Sequence, residues 1–169
     1  MVRQLLSRVK TMTKKGVGGT YNALDQLRAD HMHVERLLLR LRMSQDPDRR
    51  RNTLRELKSE LDVHMRVEEE LFYPACGRIE KMQRNVERAY DEHAWAKDAL
   101  MQLGSMDPAS REFSKLVTRL ARKLEMHVYR EENRLFKGFD KYLDERQRQR
   151  LDRDMLAAHE AYTSGRKAA

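Results

Sequence analysis

Leu61-Asp62-Val63-His64-Met65-Arg66-Val67-Glu68-Glu69 and Leu124-Glu125-Met126-His127-Val128-Tyr129-Arg130-Glu131-Glu132 are the stretches whose reading decides the fold. Each sets a histidine and a glutamate four residues apart, and such positions share one helix face, a turn apart. Leu57, Leu61, Leu71 and Phe72 lie on the face of the first pair, and Leu120, Leu124 and Leu135 on that of the second. The His–Glu pairs therefore sit in an apolar stripe, not opposite it. Ionised carboxylates are not left bare in a core. Two inward glutamates and two inward histidines at equivalent places call for a common cationic partner.

Outward from these stretches the chain repeats itself. Asp30-His31 with Leu37-Leu38 matches Glu92-His93 with Ala99-Leu100, and Asp46-Pro47 matches Asp107-Pro108. Phe72-Tyr73 follows the first His–Glu pair as Leu135-Phe136 follows the second. Apolar residues at helical spacing predict a helix over Tyr21 to Met43 and a second from Asp46-Pro47 that ends or bends near Pro74. A third is predicted from Gln83 to Leu103, stopping at Gly104, and a fourth from Asp107-Pro108 to Gly138. A last helical stretch covers Asp140 to Tyr162, with Thr163 to Ala169 frayed. Short connections make neighbours antiparallel, so two such hairpins face each other as an all-α, up-down-up-down four-helix bundle. The predicted organisation is a basic N-terminal segment (1–19), the bundle (20–139), and a C-terminal helix and tail (140–169).

Composition narrows the function classes. A chain of 169 residues with 37% charged residues, seven Gly and three Pro leans helical and is large enough to bury a real core. Lys plus Arg total 35 against 27 acidic residues, a net +8. The acids are interspersed among the bases, and neither Arg49-Arg50-Arg51 nor Arg146 to Arg150 alternates with stacking aromatics, which argues against a nucleic-acid partner. Both clusters read as solvated surface. No apolar run reaches the about 18 residues of a membrane span, and Met1 to Lys15 alternates apolar and basic residues as a short amphipathic helix does, rather than as a secretory signal. The single Cys76 fits a reducing compartment, so the expected location is the cytoplasm.

Four of the six histidines fall at equivalent places in the repeat. His31 lies among Leu24, Leu27, Val34 and Leu38, and His93 among Ala89, Ala96 and Leu100, so both join the inward face. His31, His64, Glu68, His93, His127 and Glu131 then form a first shell for two transition-metal ions. His33 points to another face and His159 lies outside the repeat; both read as non-ligands. A closed zinc site would want four ligands, often Cys. The Glu-x-x-His spacing of ferritin-like proteins is absent, since Arg28, Leu61, Tyr90 and Leu124 stand three residues before the histidines. A histidine excess over carboxylates suits two iron ions, or an iron–manganese pair, bridged by carboxylates.

With Asp30-His31, His64-x-x-x-Glu68-Glu69, Glu92-His93 and His127-x-x-x-Glu131-Glu132, the sequence from about Leu24 to Phe139 resembles the hemerythrin-like family of His-His-Glu cation-binding proteins. The resemblance implies a bundle around a non-haem di-iron centre. It implies that His31 and His64 hold one iron, His93 and His127 the other, and that Glu68 and Glu131 bridge them with an oxo or hydroxo group. Oxygen-carrying members place a further histidine where this chain has Lys97, one turn after His93. Glu35, one turn after His31, stands either as an added ligand or as a surface partner of a neighbouring Arg. The set resembles members implicated in oxidative or nitrosative stress and iron handling. The expected function is binding or sensing of O2, NO or peroxide, with peroxide or NO reduction and iron storage or delivery as alternatives.

Overall fold

Asn22 opens the first helix, its side chain accepting the backbone N–H of Asp25 at 3.0 Å. The computed structural model describes residues 21–168, so the amphipathic stretch read in Met1 to Lys15 lies outside the described residues. Helix α1 spans Ala23–Met43. Helix α2 spans Pro47–Val67 and is capped by Asp46, whose carboxylate accepts from Asp48 N–H (2.9 Å) and Arg49 N–H (3.3 Å). Helix α3 spans Glu80–Ser105, and α4 spans Arg111–Arg130. Helix α5 spans Glu145–Ala168, entered through a reciprocal cap in which Asp144 and Gln147 each accept the other's backbone N–H at 2.9 Å.

Several boundaries differ from the sequence reading. Asp107-Pro108 does not start α4: Asp107 accepts from Ala109 N–H (3.0 Å) and closes a turn, and Ser110 is the cap, accepting from Phe113 N–H (3.1 Å). The third helix begins at Glu80 and passes Gly104, and α5 begins at Glu145 and runs on through the stretch expected to fray. Of the two outcomes expected near Pro74, an end or a bend, the second helix does not end there. A π-helical turn over Glu68–Phe72 follows α2, and the chain stays helical over Tyr73–Gly77. There Tyr73 N–H bonds to the Glu68 carbonyl five residues back, and Pro74, lacking an N–H, falls in the first turn of a fresh segment.

The pattern recurs after α4, with a π turn over Glu131–Leu135, Phe136 N–H bonded to the Glu131 carbonyl, and a helical segment Phe136–Tyr142. No proline stands in this second copy. Proline is therefore not the common cause of the two π turns.

Helix α1 packs on α2, α3 on α4, α1 on α4 and α2 on α3, which closes an antiparallel four-helix bundle. The fifth helix lies over the furrow between α1 and α2 and touches the first π turn. Two apolar clusters fill the bundle. One, with Leu37, Leu57, Leu61, Leu103, Phe113 and Leu120, occupies the end of the α1–α2 and α3–α4 loops. The other, with Leu27, Phe72, Tyr73, Met82, Phe136 and Phe139, occupies the opposite end. Each inward histidine sits where its helix passes from one cluster to the other: His31 between Leu27 and Val34, His93 between Ala89 and Ala96.

Arg50 departs from the solvated role read for its cluster. It is buried, donates to the Ser44 carbonyl (2.7 Å) and the Pro108 carbonyl (2.5 Å), and lies 5.7 Å from the Phe113 ring centroid. Among the described residues no helix is long and apolar enough to cross a membrane.

Candidate metal centre

The polar layer between the two apolar clusters contains all six residues singled out by spacing. His31, His64, His93 and His127 are buried, and Glu68 and Glu131 are 0% and 2% exposed. Helical periodicity on α1 to α4 turns the four imidazoles inward, and both π turns begin at the glutamate of a His–Glu pair. Such turns recur at functional sites because the widened ring re-aims side chains without ending the helix.

Each imidazole turns Nε2 into the centre. His31 Nε2 lies 3.2 Å from Glu131 Oε2, and His64 Nε2 lies 3.2 Å from Glu68 Oε2. His93 Nε2 is 3.4 Å from Glu68 Oε2, His127 Nε2 is 3.7 Å from Glu131 Oε2, and the two nitrogens of His93 and His127 are 3.2 Å apart. Two groups of donor atoms result, each within 4.8 Å: His31, His64, Glu68 and Glu131 in one; Glu68, His93 and His127 in the other. Glu35 belongs to neither group. His33 approaches Glu56 at 3.8 Å, away from the centre.

Each outward nitrogen faces a carboxylate, three in hydrogen bonds and His64 Nδ1 at ion-pair distance only. His31 Nδ1 meets Glu132 (3.1 Å), His64 Nδ1 meets Asp30 (3.5 Å), His93 Nδ1 meets Glu69 (3.0 Å) and His127 Nδ1 meets Glu92 (3.0 Å). Every contact crosses from one helix to another. The Asp or Glu beside each inward residue serves a histidine elsewhere in the bundle, which gives the motif pairs Asp30-His31, Glu68-Glu69, Glu92-His93 and Glu131-Glu132 a physical meaning. A carboxylate on the far ring nitrogen fixes the tautomer and turns Nε2 toward a cation. Lys97 also has its role here: its Nζ pairs with both oxygens of Glu69, at 2.8 and 2.7 Å, and so anchors the carboxylate behind His93.

Spacing alone missed Tyr73. Beside Phe72 in the repeat, it carries a buried hydroxyl that donates to Glu68 Oε2 (3.2 Å) and lies 3.1 Å from His93 Nε2. Burial and the Glu131 and Glu68 charges push its pKa well above the usual value, so it remains a neutral donor. The repeat places Phe136 at the equivalent position, stacked on His31 with ring planes 6° apart. A tyrosine facing a phenylalanine across an otherwise matched repeat was the available signal.

The donor set fits a cation. His31 Nε2, Glu68 Oε1 and both oxygens of Glu131 are buried with no hydrogen-bond partner. Of these atoms, His31 Nε2 and Glu131 Oε2 lie 3.2 Å apart, at ion-pair distance. Burial pushes Glu68 up to about 8, and the facing Glu131 carboxylate adds to it. Burial opposes charge on His31, but Glu131 and Glu132 outweigh it and take its pKa up to about 10. Both shifts favour the protonated forms of Glu68 and His31, so a cation bound there would compete with protons.

The family model for the hemerythrin HHE cation-binding domain matches residues 22–139. The chain is similar to a DNA nickase of Nostoc sp., 30% identical over 137 residues, which are 81% of this chain and 39% of that protein. It therefore spans about two fifths of that curated relative's length. Its fold is similar to the crystal structure of a hemerythrin HHE cation-binding domain-containing protein from Mycobacterium kansasii. That likeness has a TM-score of 0.74 at 23% identity, covering 86% of this chain and 90% of that one. With its helical bundle and buried His–Glu layer, the chain belongs to the hemerythrin HHE cation-binding domain family.

Proposed function

We propose that the chain is a non-haem di-iron protein that binds or senses a small oxidant, O2, NO or peroxide. The observation that carries this reading is the doubled carboxylate–histidine arrangement, with four Nε2 atoms converging on two buried carboxylates that lack sufficient donors. In it His31 and His64 would hold one ion and His93 and His127 the other, with Glu68 and Glu131 supplying the carboxylates. Two ferrous ions, when bound, supply electrons to a small oxidant.

The chain's own residues set the conditions. Asp30, Glu69, Glu92 and Glu132 orient the imidazoles. The apolar clusters on both sides of the layer exclude bulk water and so tune the site's potential. Tyr73 supplies a neutral O–H donor to Glu68 on the His93 side, and Phe136 supplies none on the other.

The test is iron per chain together with the optical spectrum of the oxidised protein. About two irons, lost in a His64→Ala/His127→Ala double variant that still folds, support the reading; a folded wild-type chain that takes up no iron sinks it. Turnover of peroxide or NO above that of free iron makes it an enzyme, whereas stepwise release of iron to a chelator favours delivery. The Nostoc protein's name gives DNA nicking as a second reading. Its most relevant surface is Trp95, with Lys123 Nζ 4.3 Å and the Arg119 guanidinium 5.4 Å from the ring centroid. A supercoiled plasmid left intact by the iron-loaded chain removes that reading without touching the first.

A further inference from the structure

The two halves of the centre are not anchored alike. On the α3–α4 side, Glu92 holds His127 Nδ1 and is itself held by Arg130, at 2.5 Å, from the same helix as His127. In the repeat Arg130 corresponds to Val67, which has no polar group to hold Asp30, the counterpart of Glu92. Another element reaches Asp30 instead. His159 of α5 places Nε2 3.3 Å from Asp30 Oδ2, the oxygen that faces His64 Nδ1, and 3.4 Å from Gln26 Nε2. Gln26 Nε2 in turn donates to Asp30 Oδ1 at 2.8 Å.

The surroundings agree. Met155 and Leu156 of α5 fill the furrow between α1 and α2, against Ala23, Leu27 and Val67. Asp152 accepts the first backbone N–H of α1, from Ala23, at 3.2 Å, and Tyr162 bonds to Glu70 of the first π turn while the Arg66 guanidinium lies 3.9 Å from its ring centroid. The equivalent furrow between α3 and α4 is lined by Ala89, Glu92 and Arg130 and, among the described residues, by none of α5.

We propose that α5 is a working part of the centre: His159 is a positioning residue that holds Asp30 against His64, replacing from outside the repeat the contact that Arg130 makes to Glu92 within it. The proposal rests on the di-iron reading. It adds that the two ions are retained by different devices, one wholly inside the bundle and one that α5 shares with Gln26 of α1, His159 facing the Asp30 oxygen turned to His64. Sequence reading set His159 aside because it lies outside the repeat. Its place is set by the folding of α5 onto α1 and α2, which spacing within the repeat does not encode.

The test follows iron release from the ferrous-loaded full chain to a chelator. Residues that orient a ligating histidine typically contribute about 10- to 100-fold in metal affinity. In His159→Ala, one of the two irons is expected to leave about tenfold faster while the other leaves at the wild-type rate. In Arg130→Ala the same holds for the complementary iron, and in the double variant both leave fast. His159→Gln, which retains a donor, restores release to within about twofold of wild type. Tyr162→Phe, which loosens the far end of α5 without touching Asp30, leaves release unchanged; an effect as large as that of His159→Ala overturns the positioning role. Circular dichroism and thermal midpoint establish that each variant folds. Wild-type release of both irons from His159→Ala overturns this proposal alone, whereas a wild-type chain holding fewer than two irons overturns the di-iron reading with it.

Discussion

At the scale of single residues, charge decides the behaviour of the centre. Glu68 holds its proton up to about 8 and His31 up to about 10, where unfolded groups release theirs near 4.5 and 6.5. Between about pH 5 and pH 8 the folded metal-free chain therefore binds more protons than the unfolded one, and its stability falls as pH rises. Glu131 and Asp30 are shifted the other way, lowered chiefly by contacts to histidines that outweigh burial, so their contribution is lost only below about pH 4.5, outside this window. Metal must displace the protons on His31 and Glu68, so its affinity rises with pH. Opposite slopes are expected for thermal midpoint without metal and for affinity by competition titration. Parallel slopes would contradict the assignment. Glu68→Gln removes a buried carboxylate that has too few donors. The metal-free midpoint should stay or rise, by up to about 1 kcal/mol in stability, while the stabilisation gained on adding iron disappears. Tyr73→Phe makes the halves alike, costs about 1 kcal/mol in chemical denaturation for the lost bond to Glu68, and leaves iron content intact.

At the scale of elements, helix ends and π turns matter most. Asp46 satisfies two of the free N–H groups at the start of α2, and Asp46→Ala is expected to cost about 1 kcal/mol in chemical denaturation with no change in iron content. Both π turns begin at the glutamate that follows an inward histidine by four residues. Their recurrence with a proline in one copy and none in the other ties them to the site rather than to local propensity. The i+4 spacing was legible in the chain. The π turn was not, because the sequence pattern after Glu68 and Glu131 remains compatible with an ordinary α-helix; Phe72 and Leu135, which close the two turns, are buried together in the cluster with Leu27 and Phe136.

At the scale of the molecule, Arg50 joins the two hairpins at their loop end, and α5 braces the first hairpin at the other. Arg50 links the α1–α2 loop to the α3–α4 loop through two backbone carbonyls. Hydrogen bonds from a charged group contribute about 1.5–3 kcal/mol each, so Arg50→Ala is expected to lower stability by at least about 2 kcal/mol while leaving the centre's spectrum unchanged. A variant of wild-type stability would return Arg50 to the solvated role that its neighbours Arg49 and Arg51 have. At the other end α5 closes one furrow of a bundle whose repeat would otherwise leave both open.

By itself the sequence determined the helical periods, the doubled hairpin and the inward placement of His31, His64, Glu68, His93, His127 and Glu131. All of these follow from spacing along one helix, which 3.6 residues per turn makes readable. Only the tertiary structure decided which carboxylate serves which histidine, that Tyr73 faces the centre where Phe136 cannot donate, and that His159 reaches Asp30. Those contacts join different helices. Their geometry depends on how each helix is rotated and seated against its neighbours, and side-chain packing sets that only once the bundle has closed.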